Sequence, residues 1–251
     1  MEPYVKSASH NGITSIEFFH PQSNSLPAQL LEQLTQAIHG AGNDEQTKVI
    51  ILRSSGEKAF CAGASFDELV AIKNEEEGLQ FFSGFANVIN AMRTCPKFII
   101  GRIQGKCVGG GVGLAATVDY AIATESAEVK LSELAVGIGP FVVGPAVERK
   151  IGLSAFSQLA IDATMWRKAD WARRKGLFAE LHPDITAMDE SIHRLSNVLM
   201  HSSPEAMAEM KKIFWKGTEQ WDKLLIERAG ISGRLVLSEF TRTAIAKFKT
   251  K

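Results

Sequence analysis

The chain has 251 residues, 45% of them hydrophobic and 22% charged. That balance allows a sizeable core and excludes wholesale disorder. Lys+Arg and Asp+Glu both number 28, so the formal net charge is zero, which argues against a dedicated nucleic-acid binder and suits an oligomer that buries much of its surface.

In chain order, Ile13 to Phe19 is rich in β-formers and predicts a strand. His20 to Pro27 is a polar turn, with Pro27 placed to open a helix. Leu30, Leu31, Leu34 and Ile38 follow helical spacing, and Gly40 and Gly42 are placed to end that helix. Lys48 to Arg53 reads as a buried strand and Lys58 to Cys61 as a second, shorter one. Helical patterns cover Phe66 to Ile72 and Leu79 to Met92, and Pro96 stops the latter. Phe98 to Ile103 is another buried strand. A glycine-rich stretch, Gly105 to Gly113, leads into a helical start at Leu114, and Tyr120 to Ala123 is a strand. This alternation predicts an α/β core. From Leu153 the pattern is almost wholly helical, and Pro204 to Lys251 reads as three helices. No apolar run is long enough to span a membrane. Met1 to His10 lacks the basic-then-apolar order of a secretion signal. Cys61, Cys95 and Cys107 are odd in number and lack metal-ligand spacing. They read as buried, reduced thiols of a cytoplasmic protein. The six histidines form no metal or triad spacing.

Two segments carry chemistry. Ala59-Phe-Cys-Ala-Gly-Ala-Ser65 and Gln104-Gly-Lys-Cys-Val-Gly-Gly-Gly-Val-Gly-Leu114 each run from a strand through small residues into a helix. Small residues let a ligand approach the backbone, and a helix start offers unpaired N–H groups and a positive dipole end. Two such ends aimed at one point would stabilise an anion without a charged side chain. A glycine run before a helix serves equally well for close packing. Gly111-Val-Gly-Leu-Ala-Ala116 also fits a dinucleotide fingerprint, but Glu125 meets the required acidic position poorly.

Together, in this order and about 45 residues apart, the two segments resemble those of the crotonase family, the enoyl-CoA hydratases and isomerases. Val118-Asp-Tyr-Ala-Ile-Ala123, Lys130-Leu-Ser-Glu-Leu-Ala-Val-Gly-Ile-Gly-Pro140 and Ala172-Arg-Arg-Lys-Gly-Leu177 extend the resemblance over nearly the whole chain. It implies a spiral of ββα units over residues 1–200, holding an acyl-CoA site. Residues 201–251 would form a helical region that packs on the core or on a neighbouring subunit and mediates a homotrimer or a dimer of trimers.

The resemblance places the two enolate-stabilising N–H donors on Ala64 and Gly110. It places the two glutamates of a hydratase on Gly113, where the carboxylate is missing, and on Glu133. One carboxylate can still shuttle a proton between two carbons of one substrate, as in the family's Δ3,Δ2-enoyl-CoA isomerases. The favoured expectation is therefore a double-bond isomerase with Glu133 as base and acid, walled by Val136, Phe141 and Val142. Burial there should raise its pKa toward neutrality. The bland alternative for Glu133 is a helix-start carboxylate bonding backbone N–H groups. Asp67 or Glu68 could replace the missing acid, and Ser132 could position a water. An enoyl-CoA hydratase (branched substrates included), an acyl-CoA decarboxylase and a non-catalytic acyl-CoA-binding protein stay open.

The resemblance also lays the CoA portion against the loop His20 to Leu26, with Ser23 and Ser25, and against the backbone at Ala62, Gly63, Ala64, Ser65 and Gly109. Phe66 and Leu69 read as acyl-tunnel lining or as plain core. Gln22 and Asp67 stand where lysines might be expected. Phosphate contacts would then fall to Lys247, Lys249 or Lys251, which read equally as a solvated tail. Coenzyme A enters only as part of the substrate. No separate cofactor, metal, nucleic acid or membrane partner is expected.

Overall fold

The structure is a computed structural model that describes residues 1–249. Strands β1 (Tyr4–His10) and β2 (Ile13–Phe19) form a hairpin, and helix α1 (Ala28–Asn43) leads into β3 (Val49–Ser54) and β4 (Ala59–Cys61). Helices α2 (Phe66–Ala71) and α3 (Glu75–Thr94) follow, then β5 (Phe98–Ile103), β6 (Lys106–Val108), α4 (Gly110–Thr117), β7 (Tyr120–Thr124) and β8 (Glu128–Lys130). A 3-10 turn (Leu134–Val136) precedes α5 (Gly144–Ile161), β9 (Arg167–Lys168), α6 (Ala169–Arg174) and β10 (Glu180–His182). Four helices close the chain: α7 (Ile185–Met200), α8 (Pro204–Phe214), α9 (Trp221–Leu235) and α10 (Glu239–Lys249).

A six-stranded sheet runs β1-β2-β3-β5-β7-β10, parallel except for the β1–β2 hairpin. A four-stranded sheet runs β4-β6-β8-β9, with β9 antiparallel to β8. The continuous apolar text of β3 and β5 follows from burial on both faces. One core, containing Phe18 and Phe60 edge to face, lies between the sheets and α1, α3, α4 and α5. On the other face, Val49, Ile100 and Ile122 pack on Met188 and Ile192 of α7.

The structure corrects several expectations. β1 was not predicted: it is largely exposed, so it carries no apolar pattern. Pro27 caps α1 from outside, and Gly40 and Gly42 lie inside its last turn. α3 begins at its cap Asn74, earlier than the apolar pattern suggested, because Glu75, Glu76 and Glu77 suit a helix start. α4 begins at Gly110 rather than at Leu114, so the glycines form the helix start itself. The three C-terminal helices pack on the core of their own chain. α9 lies on α3 so closely that a Cβ on Gly78 would meet the Gly233 Cα at 2.7 Å. Among the described residues, no helix is long and apolar enough to cross a membrane. All three cysteines are free and buried.

Candidate active site

β4 and β6 are parallel neighbours that end side by side, with Cys61 opposite Cys107. The chain leaves both into a helix start, at Phe66 and at Gly110. The loop before α1 braces the first of these. Asn24, buried and at φ +56°, donates to the Ser55 and Ala59 carbonyls. Ala62 N–H donates to the Ser23 carbonyl, Leu26 N–H to that of Gly63, and Ser65 N–H to that of Leu26. Because Leu26 bonds the residues on either side of Ala64, the Ala64 N–H faces away from that loop.

Gly110 is the first residue of α4, where an N–H has no partner within its helix. Gly63 and Gly110 abut: a Cβ on Gly63 would lie 3.1 Å from the Gly110 nitrogen. Gly109 has φ +51° and ψ −114°, a conformation that side chains resist. A Cβ there would also lie 2.9 Å from Glu133 Oε1, so the carboxylate lies directly over the glycine backbone.

Glu133 follows β8 and precedes the 3-10 turn. Its carbonyl accepts N–H groups from Val136 and Ile138. Gly137, at φ +81°, ends the turn beneath α10, where a Cβ would strike Phe240 and Thr241. The Glu133 side chain does not cap the 3-10 turn that it precedes. Its Oε2 is buried without a hydrogen-bond partner. Burial pushes its pKa up to about 7.

These parts line one cavity of about 90 Å3. Of the predicted site residues, Ala62, Gly63, Ala64, Phe66, Gly109, Gly110, Ser132, Glu133 and Phe141 meet there, as do the expected Val136 and Val142. Ser23, Ser25, Ser65 and Gly113 do not line it. Ser23 contributes its carbonyl to the loop, Ser25 bonds His20, and Ser65 caps α2 by accepting the Glu68 N–H. Gly113 lies deeper in α4 against Val143, where a Cβ would come within 2.5 Å of Val143 Cγ1.

Among the described residues, neither Asp67 nor Glu68 lines the cavity. The Glu68 carboxylate accepts the Ala28 N–H at the start of α1, and that of Asp67 accepts from Gln22. The side chains of Lys247 and Lys249, and all of Lys251, lie outside the described residues. Phe82 and Phe85 of α3 and Ser232 of α9 also line the cavity, and sequence reasoning missed them. Their helical periodicity signals burial, not a cavity. Besides Glu133, the polar side chains on its wall are Ser132 and Ser232. Among the described residues, no cluster of His, Cys, Asp and Glu could hold a metal.

The arrangement can therefore set two backbone donors and one uncompensated carboxyl around a small apolar space. Comparison with known proteins gives the same direction. The sequence model of the family described as "Enoyl-CoA hydratase/isomerase" matches residues 8–236. The mitochondrial methylglutaconyl-CoA hydratase of Mus musculus is 30% identical over 200 residues, 78% of this chain. The match spans only 63% of the mouse protein's length. The short-chain-enoyl-CoA hydratase of Clostridium acetobutylicum is 27% identical over 230 residues, covering 91% of this chain and 87% of that one. Among solved structures, an enoyl-CoA hydratase from Bacillus halodurans superposes with a TM-score of 0.90 at 21% identity. It covers 97% of this chain and 99% of that one, which shows the shared fold.

Proposed function

The chain belongs to the enoyl-CoA hydratase/isomerase family, and from that premise we propose that it moves a double bond within an acyl-CoA thioester, from the 3- to the 2-position. The Ala64 and Gly110 N–H groups hold the thioester oxygen as negative charge develops on it. Each such donor contributes roughly 3 kcal/mol to lowering the barrier. Glu133 takes a proton from C2, and the dienolate forms. The same carboxyl then returns a proton at C4. The observation that carries this reading is a lone carboxyl among the described residues of the cavity, with Val143 filling the space beside Gly113. A pKa of about 7 suits a group that must both accept and give a proton.

A hydratase reading is favoured by the names of the relatives. It would need Ser132 or Ser232 to hold the attacking water, since no second carboxylate among the described residues lines the cavity. Mass spectrometry of 3-enoyl-CoA and 2-enoyl-CoA incubated with the enzyme separates the two. A shifted double bond without mass change supports isomerisation, and a gain of one water overturns it. We further infer a homotrimer or a dimer of trimers. Zero net charge and the exposed Leu153 and Met165 support assembly.

A further inference from the structure

Behind Phe141 lies a second space, a mostly apolar groove of about 340 Å3 walled by Leu134, Pro145, Phe156 and Ile161. It shares Gly139, Pro140 and Phe141 with the catalytic cavity. The Phe141 ring folds back on the Gly139 backbone, where a Cβ would lie 2.4 Å from Phe141 Cε2. It stands at the junction of the two spaces. The catalytic cavity alone, about 90 Å3, has room for roughly three water-sized groups. An acyl chain longer than a few carbons must leave it, and the groove adjoins it across Phe141.

The groove contains a half-buried cation. Arg228 of α9 lines it, one helical turn before Ser232, which lines the catalytic cavity. Four residues advance a helix by about 6 Å, so one face of α9 serves both spaces. Among the described residues, Arg228 makes no hydrogen bond and no ion pair within 4 Å. Glu148 also lines the groove, but it is exposed to solvent, where water and salt screen its charge. A half-buried guanidinium is matched by a carboxylate, which it binds through paired N–H donors.

We propose that the enzyme takes acyl-CoA thioesters whose acyl chain ends in a carboxylate, which Arg228 binds in the groove behind Phe141. This rests on reading the catalytic cavity as an acyl-thioester site. Arg228 is a specificity residue and touches no reacting atom.

Calorimetric binding of saturated thioesters tests the proposal without requiring turnover. The pairs are glutaryl- against valeryl-CoA, adipoyl- against hexanoyl-CoA, and suberoyl- against octanoyl-CoA. In the natural enzyme the carboxylate-ended member of at least one pair should bind about tenfold more tightly. In Arg228→Met that ratio should fall to about one, and in Arg228→Lys it should be partly kept. A ratio of one or less in every natural-enzyme pair, or a ratio unchanged in Arg228→Met, overturns the proposal. Should Arg228→Met fail to fold, the Arg228→Lys ratio and its loss with added salt decide instead, an unchanged ratio again overturning it. Failure of every thioester to bind overturns the acyl-thioester reading itself.

Discussion

At the residue scale, Glu133 as the proposed base should govern both rate and stability. A base that must be ionised in the free enzyme makes kcat/KM rise with pH and level off above about 7, its raised pKa. A single titrating carboxyl gives no falling limb near neutrality, whereas a second catalytic acid would give a bell. Glu133→Gln should lower kcat by about 100- to 10,000-fold, and full activity in that variant contradicts the assignment. The same burial opposes folding. A carboxyl whose pKa rises from 4.5 to about 7 on folding holds protons in the native state that the unfolded chain releases. Its penalty is absent well below 4.5, sets in between these values and is complete above 7, reaching about 3 kcal/mol. Glu133→Gln should therefore exceed the natural protein in stability at pH 8, by a margin that shrinks toward pH 5. Denaturant melts at both values check this.

At the scale of elements, the lack of a side chain at Gly113 goes with how α4 meets Val143 at the start of α5. Val143 occupies the space a side chain at position 113 would need. Gly113→Glu alone should destabilise the enzyme by about 1–3 kcal/mol through overpacking. Val143→Gly added to it should relieve the clash and allow water addition to 2-enoyl-CoA, measured as mass gain. Stability unchanged by Gly113→Glu alone would contradict the packing account. The glycines were legible in the sequence because close backbone approach admits few other residues. The start of α4 was not, since glycine's weak helix propensity hid a helix that tertiary packing enforces. Phe82, Phe85 and Ser232 were hidden for a different reason. They line the cavity through contacts distant in sequence, Phe85 against Gly110 and α3 against α9 at Gly78 and Gly233. The Ser65 side chain caps α2, a role its residue type serves well, and the expected ligand contact concerns its backbone instead.

At the scale of the whole molecule, the C-terminal helices are tied to the sheet by a buried ion pair. Lys211 of α8 and Asp119, before β7, have side chains 3% and 7% exposed and lie 2.9 Å apart. Lys211 also donates to the Lys97 carbonyl, and Asp119 accepts from Trp215 and from the Ile99 N–H. Lys211→Met leaves a buried carboxylate unpaired and should cost about 3–5 kcal/mol. Core and tail should still unfold in one transition, seen as coincident circular-dichroism and tryptophan-fluorescence melts. A melt of the natural protein in two steps would contradict this. Light scattering should return a mass three or six times 27.4 kDa, and a monomer would contradict the inferred assembly.

On the proposed reading, one half-buried carboxyl, that of Glu133, should carry one proton between two carbons. This central claim is tested most directly with 3-enoyl-CoA bearing deuterium at C2, turned over in ordinary water. Glu133 Oε2 is buried away from solvent and unpartnered. Part of the label removed from C2 should therefore reappear at C4 of the 2-enoyl product, and Glu133→Gln should abolish the transfer. Complete loss of that label to solvent, or a hydrated product in place of the shifted double bond, would contradict the account.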